Sequence, residues 1–440
     1  MKIATVFLGS VICFISLDIA ACSGGPNDAS SPTTLPSVAT PAFSVAAGSY
    51  SSSQIITIST TTAGATIYYT TDGSVPAASS FKYTSAITVS SSITLKAIAT
   101  ASGYNASAVA SAVYTITTSS SGLTNGLAEL PSLSTTGVPQ PTGAVGGLKV
   151  LDWAGFSSAV TYTFDDSLAS QLSNYSQLHA TGFRMTFFQI SSTGYNAGWQ
   201  QVVNDGNELG NHTAHHCYAD GTGCANGVWD GSIAAEYNEC NQFLEQSYGV
   251  SNVWDTAAPY GDTGYDATAA NLFFLNRGTW GGQIAPNDST DPYNLLVYVA
   301  AANDTASIFD AYIDSARSSD KWQIFLIHSL GGDGGFAPIN PADLLASINY
   351  AKSFGDIWID DLVNIGSYWA GQKAVTEGTT IQSGNDITVS WTLPAHFPPG
   401  KFVRVTVTGG TVSQGGVTLP WNSAGYYEVA LDPGSLTIAP

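Results

Sequence analysis

Between residues 40 and 117, apolar positions recur in short runs at 55–59, 66–70, 86–89, 93–99 and 112–116. Turn-forming residues separate them, with Thr71-Asp72-Gly73 between two of the runs. No helical period is present, so a small antiparallel β-sandwich is expected there. From Leu148 the pattern changes. Apolar runs at 159–164, 184–189, 208–211, 252–256, 273–276, 295–300, 323–328 and 356–359 alternate with helical stretches at 169–181, 198–204, 232–248, 267–272, 306–319 and 341–354. Several runs are apolar on both faces, as in Ile324-Phe325-Leu326-Ile327, which fits parallel strands covered by helices. Such repeating βα units predict a (β/α) barrel over 147–372. Short strand-like runs then return at 379–382, 386–391, 402–407, 416–419, 426–431 and 436–438, a second small all-β domain spanning 373–440.

Residues 1–22 read as a targeting segment: Lys2, an apolar run from 3 to 17, then Ile19-Ala20-Ala21-Cys22. The run is short for a transmembrane helix. Its end resembles a bacterial lipobox, which implies cleavage before Cys22 and lipidation of its thiol. The expected location is a cell surface or the periplasmic face of a bacterial membrane, with ordinary secretion as the alternative. Residues 23–39 are a Ser, Pro, Gly and Thr tether, and 118–146 a second linker. Only 10% of the 440 residues are charged and the net charge is −20. That balance opposes a nucleic-acid or anionic-membrane partner, so membrane contact is expected through the lipid alone. A neutral polysaccharide meets no such penalty, and a monomer is expected. Loss of the leader leaves Cys217, Cys224 and Cys240. One disulfide and one free thiol is the simplest reading, and Cys217 could pair with either of the others.

Chemistry concentrates at strand ends. The run 159–164 leads straight into Asp165 and Asp166. Three of the six histidines fall in Asn211-His212-Thr213-Ala214-His215-His216, and His328 ends another run. An Asp pair after a strand caps a helix more often than it does catalysis, and a lone strand-end histidine is usually core. Together, on the face where barrels build their sites, they point to a metal centre. His212 and His216 are four apart, so one helical turn would align them, with His215 the competing ligand. Two imidazoles and a carboxylate leave positions open for water and substrate.

In order, Thr163-Phe164-Asp165-Asp166, His212-Thr213-Ala214-His215-His216, Ala258-Pro259-Tyr260-Gly261 and Leu326-Ile327-His328 resemble the motifs of the polysaccharide deacetylase (NodB-homology, carbohydrate esterase family 4) domain, over residues 155–372. The resemblance implies a distorted (β/α)7 barrel flanked by the two small all-β domains. It assigns Asp165 as general base, Asp166, His212 and His216 as ligands of a divalent metal (Zn²⁺ first, Co²⁺ or Ni²⁺ as alternatives), His328 as general acid and the Tyr260 N–H as oxyanion donor. Pro259, Arg277 and Trp280 would line the substrate pocket. The substrate would be an acetylated polysaccharide: an N-acetylglucosamine polymer such as chitin or peptidoglycan, or O-acetylated xylan. Residues 65–76, 95–99 and 102–104 resemble a chitobiase/β-hexosaminidase C-terminal-type module, whose Tyr68, Tyr69 and Tyr104 either stack on sugar or pack the module. The chain departs from the deacetylase pattern where an arginine that tethers the base is expected, because that position is Ala257. The fourth motif, Asn276-Arg277-Gly278-Thr279-Trp280, lacks its usual acid. Arg277 is expected to reach Asp165 from the next strand instead. The competing reading is a surface glycan-binding protein with an inactive barrel.

Overall fold

The computed structural model describes residues 35–50, 54–71, 73–78, 80–84, 86–89, 93–116 and 130–440. The leader with Cys22, most of the tether, the first part of the second linker and Asp72 of the expected turn lie outside the described residues. The chain folds as two compact units. In the first, Thr66–Thr70 lies between Phe81–Lys82 and Ile93–Thr100 and is antiparallel to both. Ala42–Phe43 pairs with Ile58–Ser59. Ile67, Leu95, Ala97 and Ala99 belong to its buried core, with Val38 and Ile58. Tyr69 packs against Phe81 and Tyr83, whereas Tyr104 is exposed.

The second unit holds the barrel. Its strands are β1 (Ser158–Phe164), β2 (Thr186–Gln189), β3 (Glu208–Asn211), β4 (Asp255–Ala257), β5 (Leu275–Gly281), β6 (Leu295–Val299), β7 (Trp322–Ile327) and β8 (Ile357–Ile359). Strands β1 to β7 form a closed parallel circuit, and β8 adds beside the start of β1. β1 pairs with β7 along its length, but with β2 only at Thr163 and Phe164, because β8 occupies the same flank below. That wedge distorts the barrel. Every residue of β1 is buried, with Val160, Tyr162 and Phe164 in the outer core under the helices. Ala159 belongs with Phe188, Ala257, Leu275, Val297, Ile324 and Leu326 to the inner core, as alternation requires. Helices α1 (Ala169–His179), α2 (Ala197–Asn204), α3 (Ile233–Tyr248), α4 (Asp266–Leu272), α5 (Ala306–Ser318) and α6 (Pro341–Phe354) follow the expected alternation.

A seventh helix, α7 (Leu362–Thr376), was not expected and runs through residue 372. Its sequence has no polar face because it is sandwiched. Trp369 and Val375 join barrel residues Trp322 and Trp358 and the C-terminal residues Val389, Trp391, Val403, Tyr427 and Leu436 in one core. Thr379–Ser383, Asp386–Ser390, Ser435–Ala439, Thr411–Gln414 and Val417–Thr418 form an antiparallel sheet. Phe402–Thr406 pairs with Tyr427–Ala430 and with Lys149–Val150, so chain from before β1 completes the second sheet. The aromatic residues Trp391, Tyr426 and Tyr427 are therefore packing residues. Arg404 is buried beside them and donates to the carbonyls of Ala154 and Leu130.

Candidate active site

The Asp165 amide still donates to the Ile327 carbonyl (2.9 Å), so the first aspartate continues β1. Asp166 and Ser167 then adopt φ of +73° and +54°. This turn lets adjacent carboxylates serve different places. After β3, Asn211 Oδ1 accepts from the Thr213 amide (2.7 Å) and Thr213 Oγ1 from the His216 amide (3.0 Å). Thr213 and His216 have φ of +65° and +52°. His212 and His216 thus meet through a left-handed turn, not the helical turn expected, with ring centroids 4.7 Å apart. Positive φ at non-glycine residues costs about 1–3 kcal/mol each and survives where surroundings impose it.

His212 Nδ1 donates to the Ala257 carbonyl (2.7 Å), which leaves Nε2 as a lone-pair donor to metal. That nitrogen lies 3.3 Å from Asp166 Oδ1, and His216 Nε2 lies 3.4 Å from the same oxygen. Asp166 Oδ1 is buried and accepts no hydrogen bond. Ligand atoms on a four-coordinate ion with bonds of about 2.0–2.1 Å sit about 3.3 Å apart, so the three residues fit a divalent ion such as Zn²⁺. Burial, with His212 next, pushes the His216 imidazole down to about 4, leaving it neutral for ligation. His215 turns away. Its Nδ1 and amide both meet buried Glu236, at 3.0 and 2.8 Å.

Asp165 stands apart from this triad. Its Oδ2 is 3.9 Å from His212 Nε2 and 3.9 Å from His328 Nε2, and its Oδ1 is buried without a partner. Arg277, with 0% exposure, bonds Asp165 Oδ2 directly. Its other contacts are the Gly278 carbonyl (3.0 Å) and the face of Phe188. Burial alone would raise the Asp165 carboxyl; Arg277 first, then His212 and His328, hold it below the usual carboxylate range. Arg277 pairs in register with Ala257, so the cation enters at the expected height from the neighbouring strand. Burial and then repulsion from Asp361 raise the Asp255 carboxyl well above the ordinary range, although Arg277 opposes this. The guanidinium therefore serves Asp165. Asp255 escaped the sequence reading, since one acid inside a strand has no distinguishing context.

His328 follows β7; Gln171 Nε2 donates to its carbonyl and Phe336 stands 4.9 Å from its ring. Burial pushes its imidazole down, against Asp165 and Asp166. Tyr260 has φ of +59° and its ring lies 4.5 Å from His216. Pro259 before it is buried. Trp280 is 62% exposed on the end of β5, which excludes a core role. Cys217 pairs with Cys224 and Cys240 is a buried free thiol. That settles an alternative that cysteine spacing left open.

Residues 156–273 match the family model for polysaccharide deacetylase, and residues 45–111 that for the chitobiase/beta-hexosaminidase C-terminal domain. Among solved structures, the chain is similar to the Xyl-CE4 domain of a multidomain xylanase from the hindgut metagenome of Trinervitermes trinervoides (19% identity, 47% of this chain and 89% of that chain covered, TM-score 0.34). It is also similar to a family 4 acetyl xylan esterase from Clostridium thermocellum (17%, 47% and 89%, 0.31) and to the peptidoglycan deacetylase PdaC from Bacillus subtilis (18%, 50% and 95%, 0.34). No curated protein matches the chain.

Proposed function

We propose that the barrel removes acetyl groups from a polysaccharide by metal-assisted hydrolysis. The observation that carries this reading is the division of labour between the aspartates: Asp166 joins His212 and His216, while Asp165 is held separately by Arg277. A divalent ion bound there, Zn²⁺ before Co²⁺ or Ni²⁺, would polarise the acetyl carbonyl and acidify a water. Asp165, kept ionised by Arg277, would take the proton of the attacking water as the water's oxygen adds to the carbonyl carbon. The Tyr260 N–H donates to the developing oxyanion. His328 gives its proton to the leaving nitrogen or oxygen as the bond to the acyl carbon breaks, releasing acetate and a free amine or hydroxyl. Arg277 is a positioning residue in this scheme, and exposed Trp280 with Pro259 forms pocket walls.

The substrate class follows from chemistry and from the neighbouring module. An acidic protein suits a neutral glycan, and a chitobiase/hexosaminidase-type module preceding the barrel in the sequence favours N-acetylglucosamine polymers, chitin-like ahead of peptidoglycan, with O-acetylated xylan third. We place the protein as a monomer tethered by lipid on Cys22 outside the cytoplasm. The inactive glycan-binding alternative leaned on the changed third and fourth motifs, and Arg277 beside Asp165 answers the first of these. Acetate release from chitooligosaccharide, peptidoglycan and acetylxylan, with and without chelator, tests the proposal. Release from none of them with zinc added refutes it. Asp165→Asn is expected to lose turnover while keeping zinc.

A further inference from the structure

We propose that the loop closed by the Cys217–Cys224 disulfide is a positioning element for Tyr260, with Tyr218 as the residue through which it acts. The proposal rests on the reading of the Tyr260 N–H as oxyanion donor. Two contacts join the loop to Tyr260. The Tyr218 ring stacks on the Tyr260 ring, with centroids 4.0 Å apart and planes 15° from parallel. The Tyr260 hydroxyl donates to the Gly223 carbonyl (2.8 Å). Both contacts come from within the span the disulfide closes.

The loop has its own anchors. The Tyr218 amide donates to the Thr222 carbonyl (2.8 Å) and the Gly221 amide to the Tyr218 carbonyl (2.9 Å). The Ala219 amide donates to Asp262 Oδ2 (2.8 Å) and the Tyr265 hydroxyl to the Cys217 carbonyl (2.9 Å). Gly223 has φ of +69°, and a Cβ there would come within 2.7 Å of the Tyr218 ring, so the stack fits without slack.

Tyr260 needs such support. Its φ of +59° is a left-handed conformation that an L-residue leaves unless it is held. The φ and ψ around this residue set the direction of its amide plane, which the oxyanion role requires to be fixed. His216 contacts the ring as well, so Tyr260, although 47% exposed, is held by His216, by the Tyr218 ring and by the Gly223 carbonyl. Without the loop contacts, Tyr260 relaxes towards ordinary φ and the N–H turns away. Tyr218 is 41% exposed, and its substitution by alanine leaves no buried cavity.

The test uses the full chain loaded with zinc, as wild type, Tyr218→Phe, Tyr218→Ala, Cys217→Ser/Cys224→Ser, and the combination of the last two. Hydrogen exchange of the peptide 258–262 is read together with kcat and KM on acetylated chitooligosaccharide and with zinc content. Tyr218→Ala and the serine pair are expected to exchange faster and to lower kcat about tenfold, less than the ~100-fold or more lost with an oxyanion donor itself. KM and zinc content stay put, Tyr218→Phe behaves as wild type, and the combined variant is no worse than Tyr218→Ala. Treating wild type with dithiothreitol reproduces the serine-pair result if those variants fail to fold. Unchanged exchange and kcat in Tyr218→Ala overturn the proposal, as does a loss that follows lost zinc. If wild type releases no acetate, the deacetylase reading falls, and the exchange comparison still decides whether the loop holds Tyr260.

Discussion

Replacing Arg277 by methionine removes the cation from Asp165 while keeping much of its apolar length. Both Arg277 and Asp165 are buried, at 0% and 3% exposure. Removing one partner of a buried pair costs about 3–5 kcal/mol, because the other charge is stranded. The protein escapes by protonating Asp165. At about 1.4 kcal/mol per pH unit, the lower figure moves that carboxyl up by about two pH units. The direction follows from the forces on it. Burial, the largest, pushes upward, and Arg277 is the largest of the opposing side chains, leaving His212 and His328 among the protein's own groups against burial and Asp166. In wild type the folded carboxyl lies below its unfolded value, so the pair stabilises the protein above the ordinary carboxylate range and that contribution fades as pH falls. In Arg277→Met, the acid limb of kcat/KM on acetylated chitooligosaccharide is expected to rise by about two pH units, with zinc content unchanged. Adding Ala257→Arg returns a cation at the register partner of position 277 and is expected to bring the limb back down. A folded, zinc-loaded Arg277→Met with an unmoved acid limb refutes the assignment of Arg277 to Asp165.

Other expectations follow from the same coordinates. Zinc titration separates the two histidines: His216→Ala loses the metal, whereas His215→Ala keeps it but melts earlier, because fully buried Glu236 loses its imidazole partner. Gly210→Ala places a Cβ 2.5 Å from the Phe188 ring and 2.7 Å from Asp255 Oδ1, an overpacking worth about 1–3 kcal/mol, seen as a lower Tm. Asp333 caps the start of α1 through the Ser170 amide (2.9 Å) and ties the loop after His328 through Ser329 and Gly335. Burial opposes, but these donors, Ser170 foremost, bring its carboxyl down to about 2. Its contribution is therefore complete above the unfolded value near 3.8 and is lost as pH falls towards 2. Asp333→Asn removes under about 1 kcal/mol at neutral pH after solvent screening, and its stability difference from wild type shrinks towards pH 2 and is gone only below it.

The barrel was legible because its signal is repeated. Each βα unit shows an apolar run followed by a 3.6-residue pattern, and an error in one unit leaves the series intact. What escaped was helix α7, and the cause is physical. A helix between the barrel floor and a β domain buries Leu362, Val363, Ser367, Tyr368, Trp369, Ala370 and Gly371, which together ring its whole circumference. Amphipathic periodicity, the property that reveals helices, is then absent. Lys149–Val150 escaped for a related reason, since two residues added to a sheet completed some 250 residues later carry no local pattern.

The site divides in the same way. The cluster of Asp165, Asp166, His212, His216 and His328 was legible because the proposed ligand and acid–base roles require particular side chains at strand ends, whatever supports them. Their supports were less so. A buried carboxylate needs a cation, but any strand bordering the barrel interior can supply one. The requirement therefore fixes a charge at a height, not at a sequence position. Arg277 could be anticipated because the chain has only twelve Lys and Arg and this one lies on the strand after Ala257. The support of Tyr260 left no such trace. A tyrosine at position 218 and a disulfide span are compatible with many loops, and only the fold brings that ring to within 4.0 Å of Tyr260. Groups that react are constrained in chemical identity, while groups that hold them are constrained in position, and position appears only once the chain is folded.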